Sequence, residues 1–68
     1  MKTLAFVGPR PVWVWRVPLD RIKSAEDFDR EVEAAERGLG RRPLSARRAG
    51  DEVIFYPMEA EDDPLVLV

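Results

Sequence analysis

The most constraining stretch of this chain is Pro11-Val12-Trp13-Val14-Trp15-Arg16-Val17, which carries both tryptophans. β-Branched and aromatic residues fit a pleated, half-buried surface, so the stretch reads as a β-strand. Side chains along a strand point alternately to its two faces. Val12, Val14 and Arg16 therefore share one side, and Trp13, Trp15 and Val17 the other. A strand with one solvated face alternates apolar with polar residues. This one is apolar on both, so the fold must cover two faces of the same strand or leave one to a partner.

Length makes that demand hard to meet. The chain has 68 residues and reads as a single domain, 1–68. A domain of this size buries only about 60% of the surface its unfolded chain exposes. It has no Cys and no His, so neither a disulfide nor a usual zinc site can add stability. A well-packed core or association with another subunit is what remains. At 46% hydrophobic the chain lies outside the disordered class. The absence of Cys, Asn and Gln beside dense charge of both signs suits a heat-adapted, thermostable protein, although a high-GC genome gives the same excess of Arg over Lys. Apolar runs such as Leu4–Val7 and Leu65–Val68 are too short for a signal h-region of about 7–15 residues or a spanning helix of about 20. A cytoplasmic protein with no membrane association is expected.

Residues 2–7 read as a first strand, joined to the tryptophan strand through Gly8-Pro9-Arg10-Pro11 in an antiparallel hairpin. With those four residues as the loop, Phe6 falls opposite Trp13 and Leu4 opposite Trp15, favourable cross-strand pairs. Pro18 ends the strand, and Leu19 or Ile22 tucks inward. Ser24 followed by Ala25-Glu26-Asp27 is an N-cap with a carboxylate at the third helical position. Phe28, Val32, Ala35 and Leu39 then form one apolar stripe, predicting a helix over 24–37 with Gly38 and Gly40 as candidate C-caps. Leu44–Arg48 reads as a strand that turns through Ala49-Gly50-Asp51, with a short helix opened by Pro43 and ended by Gly50 as the alternative for residues 43–49. Glu52–Tyr56 is a strand closed by Pro57, Glu59–Asp63 an acidic loop, and Leu65–Val68 a last strand.

The expected fold is therefore α+β: a small mixed or antiparallel sheet of 4–5 strands with one helix packed across it, in the order ββα(β)ββ. That succession resembles the β-grasp, or ubiquitin-like, layout. Conjugated and sulfur-carrying members of that group end in Gly-Gly, whereas this chain ends Leu67-Val68, so the resemblance extends to topology and not to activation chemistry.

Catalytic chemistry is poorly provided for. Without His or Cys there is no Ser-His or Cys-His nucleophile and no imidazole base. Ser24 reads as a cap, and Glu59, Glu61, Asp62 and Asp63 lack the ligand spacing of a calcium loop. These carboxylates read as a charged guard before a sticky strand. No catalytic residue, cofactor or metal site is expected. Net charge is −2, in alternating basic and acidic blocks that can pair across the fold.

What stands out is apolar area, because one helix can roof only one side of such a sheet. Exposed contiguous apolar patches mark interfaces. The expected function is a non-catalytic interaction or regulatory module docking on a protein partner or on itself as a homodimer. Its anchors are Phe6, Trp13, Trp15 and Tyr56. The alternative is nucleic-acid binding through the basic segment Arg41, Arg42, Arg47 and Arg48.

Overall fold

A computed structural model describes residues 1–40, 43–60 and 62–68. Among these the elements run β1 (Lys2–Val7), β2 (Arg10–Pro18), α1 (Ala25–Gly38), β3 (Leu44–Ala49), β4 (Glu52–Pro57) and β5 (Leu65–Leu67). Short 3-10 turns occupy Leu19–Arg21 and Met58–Ala60. The five strands form one sheet in the order β3-β4-β2-β1-β5, antiparallel at every pairing. The α+β class and the succession ββαβββ agree with the sequence reading, and residues 44–49 are a strand rather than a helix. No described helix is long and apolar enough to cross a membrane.

The β1–β2 hairpin turns more tightly than expected. Val7 pairs with Arg10, leaving only Gly8 and Pro9 in the turn. Gly8 has φ +60, the conformation a two-residue hairpin turn requires of its first central residue. Leu4, not Phe6, is consequently opposite Trp13, Lys2 is opposite Trp15, and Phe6 faces Pro11. Pro11 can lie inside the strand because β4 pairs only with Trp15–Pro18. The first half of β2 is locally an edge, where a missing amide costs little. Gly50, at φ +63, serves the β3–β4 hairpin in the same way.

Helix α1 is capped as its sequence predicts. Ser24 accepts a hydrogen bond from the Asp27 amide at 3.2 Å, and the Asp27 carboxylate accepts from the Lys23 amide at 3.0 Å. The helix ends at Gly38, and Gly40, at φ +90, makes the left-handed exit. Ala35 is fully buried, and Phe28 meets Phe55 with ring centroids 5.7 Å apart. With Val17, Val53, Trp15, Val32, Leu44, Leu19 and Ile22 these residues make one core, between α1 and the β2–β4–β3 half of the sheet.

The opposite face of the sheet carries a second core with no helix over it. Ala5, Val7, Val14, Ile54, Tyr56 and Ala60 are almost wholly buried there, supported by Val12, Ala49, Leu65 and Leu67. The expectation that a face without a helix would be left bare is thus corrected. The sheet is curled. In a flat sheet the edge strands β3 and β5 would stand about 19 Å apart, at about 4.8 Å per strand. Instead, Arg47 of β3 donates to the Asp63 carbonyl, just before β5, at 3.4 Å. Ala49 of one edge and Leu65 and Leu67 of the other also line the same core. The link from β4 to β5 closes the concavity, inserting Ala60 and bonding through Pro64 to the Gly8 amide at 2.9 Å.

Candidate functional site

Paired positions in a ladder lie on the same face, so the register decides which side chains meet. Lys2, Leu4, Phe6, Trp13, Trp15 and Val66 lie on the side that α1 packs against. Helix α1 covers the β2–β4–β3 half of that side and leaves β1, β5 and the start of β2 open. On the open strip Trp13 is 55% exposed, Val66 57%, and Leu4 and Phe6 39% each. Leu4 is directly opposite Trp13 and Val66 directly opposite Phe6, while Phe6 and Trp13 are diagonal neighbours within reach of aromatic side chains. The four form one continuous apolar surface.

A groove of about 530 Å3 runs from this strip to the end of α1, lined by Trp13, Pro11, Lys2, Arg37, Gly38 and Leu39 among others. The Lys2 ammonium sits 5.1 Å from the centre of the Trp13 ring, a cation–π contact that holds one face of the indole. Arg37 pairs with Glu33 at 2.9 Å on the helix surface. Among the described residues, the strip of Leu4, Phe6, Trp13 and Val66 includes no carboxylate.

Of the four anchors expected from the sequence, the structure brings Phe6 and Trp13 together on this strip. Trp15 shares their face but is packed beneath the end of α1, and its Nε1 is buried without a hydrogen-bond partner among the described residues. Tyr56 lies on the opposite face, 3% exposed, with the Arg47 guanidinium 5.0 Å from its ring centre. Leu4 and Val66 belong to the strip and were missed. Alternation along each strand places Leu4 with Phe6, but only the β1–β2 and β1–β5 registers bring Trp13 and Val66 alongside.

The basic segment does not form one described surface. Arg47 points to the concave side and Arg48 to the helix side, where it donates to the Gly50 carbonyl at 3.0 Å. Arg41 and Arg42 lie outside the described residues, as does Glu61. Elsewhere the charge blocks pair across the fold, Arg16 with Glu52 and Arg10 with Asp63 at 3.8 Å. The Arg16 guanidinium donates to Glu52 and holds its carboxyl below the usual range. Asp27 is likewise lowered, first by the Lys23 amide and then by Arg30.

No protein-family model matches this chain, and neither a curated protein nor a solved structure matches it.

Proposed function

We propose that this protein is a small, non-catalytic interaction or regulatory module that binds a protein partner through the strip of Leu4, Phe6, Trp13 and Val66. The observation that carries the reading is the exposure of two aromatic and two aliphatic side chains side by side, on a face whose other half is a packed core. A tryptophan is a stiff, broad anchor that loses little entropy when covered, which is why it dominates many interfaces. A non-catalytic role is supported by a sequence without His or Cys. The charge-rich, Asn- and Gln-free composition supports heat stability, and apolar runs of only four residues support a cytoplasmic setting.

A photo-crosslinking amino acid placed at position 13 tests the reading in the producing cell, with one at Glu33 on the outer side of α1 as the control. Discrete protein adducts from position 13 and none from position 33 are expected. No adducts at position 13, or the same adducts from both, would remove the docking role. Filter binding at low salt, where phosphate contacts are strongest, distinguishes a nucleic acid as occupant.

A further inference from the structure

We infer that the occupant of the strip is a second copy of this chain, seated face to face across a two-fold axis; this rests on the docking reading above. Helix α1 and the bare strip lie side by side, so the surface is a step whose height is that of one helix, about 10 Å. Two sheets stacked face to face are also separated by about 10 Å. A second β1–β5 strip laid on the first therefore fits in the layer that α1 occupies, beside it. The two-fold operation then places the first strip beside the second copy's helix. Such an isologous contact needs a patch complementary to itself, and an uninterrupted row of Leu4, Phe6, Trp13 and Val66 is one.

Charge excludes the other arrangement of two copies. The outer side of α1 displays Glu26, Asp29, Arg30 and Glu33, all exposed. A helix laid on the strip would bury those charges against apolar side chains, the Glu33–Arg37 and Asp27–Arg30 pairs included, and taking charges and ion pairs out of water is costly. Strip on strip brings in one charge per copy, the Lys2 ammonium already seated on the Trp13 ring. The exposed parts of the four side chains amount to roughly 400 Å2 per copy, within the size of a functional patch. A standard interface takes about 800 Å2 from each partner. The strip with its groove therefore makes a weak dimer that forms in the micromolar range, not a permanent one.

The test is sedimentation equilibrium from about 5 to about 500 µM, on the whole chain and on Trp13→Ser and Phe6→Ser, with circular dichroism to show that both variants fold. A monomer–dimer equilibrium is expected, weakened at least tenfold by either substitution. Because the chain has no cysteine, single-cysteine variants report proximity cleanly. Val66→Cys should link to its counterpart through a bis-maleimide whose reach, about 10 Å, matches the spacing of stacked sheets, and Glu33→Cys should not. A dimer indifferent to both serine variants, or a Glu33→Cys crosslink in place of the Val66→Cys one, overturns the inference. A monomer throughout also overturns it. If position 13 then crosslinks to a different protein, the docking reading survives; if it crosslinks to nothing, both fall together.

Discussion

Gly38 lies so close to the indole of Trp15 that the helix has no room for a side chain there. A Cβ at position 38 would stand 2.7 Å from Cε3 and 3.1 Å from Cη2, with Cζ3 nearer still. The glycine is helical, not left-handed, so its role is close approach rather than backbone freedom. It lets the last turn of α1 settle on the aromatic ring that anchors the middle of the sheet.

Gly38→Ala should therefore destabilise the protein. In an open helix the change would be worth up to about 1 kcal/mol of added stability. Here the ring is confined between helix and sheet, and forced overpacking costs about 1–3 kcal/mol. Urea unfolding is expected to show a net loss of about 1–2 kcal/mol. A gain would show that Trp15 moves aside freely.

The two tryptophans should behave oppositely. Trp13 is 55% exposed, so in dilute solution iodide should quench its emission, and Trp13→Ser should change stability by less than about 1 kcal/mol. Trp15 is packed under α1, and Trp15→Ala should cost about 3–5 kcal/mol, enough to unfold a domain this small. Single-tryptophan variants, Trp13→Phe and Trp15→Phe, separate the two signals. Equal quenching of both would contradict the placement of α1.

The concave face makes its own prediction. Ile54 is fully buried there although no helix lies above it, so Ile54→Ala should cost about 2–5 kcal/mol. On an open sheet face the same change would be nearly neutral. Val66→Ala, on the strip, supplies that neutral reference at low protein concentration. Chemical unfolding of the two variants measures the contrast.

Stability should fall in acid for a reason that can be located. Glu52 and Asp27 both have folded-state pKa values below their unfolded ones, through Arg16 for the first and chiefly the Lys23 amide for the second. Such groups contribute fully above the unfolded carboxylate range, near pH 4. Their contribution is lost as pH drops through the lower folded values. Thermal midpoints are expected to hold between pH 7 and about 5 and to decline below about 4. Glu52→Gln should flatten part of that decline by removing its titration. A decline as steep in this variant as in the parent would place the acid sensitivity elsewhere.

Much of the local structure was legible from residue types. The Ser24 cap, the stripe of Phe28, Val32 and Ala35, and an inward residue at Leu19 or Ile22 (the structure turns both in) are short-range features, set within one or two turns of chain. The expected pairing of Phe6 with Trp13 was off by a shift in the hairpin. Gly-Pro-Arg-Pro reads as a four-residue loop unless one knows that β4 leaves the Pro11 end of β2 unpaired. Gly38 read as a cap because its reason for being small is a ring 23 residues away in the chain.

The sequence by itself determined that the strands are apolar on both sides and that α1 has a single greasy stripe, because alternation and helical period depend only on neighbours. Which side would stay bare was decided by tertiary structure. The sheet curls until β3 and β5 share a core, which buries the valine face and Tyr56 without a helix. The uncovered area falls instead on the helix side, at Trp13 and Phe6, because one helix about 10 Å wide spans about two strand spacings and the sheet has five strands.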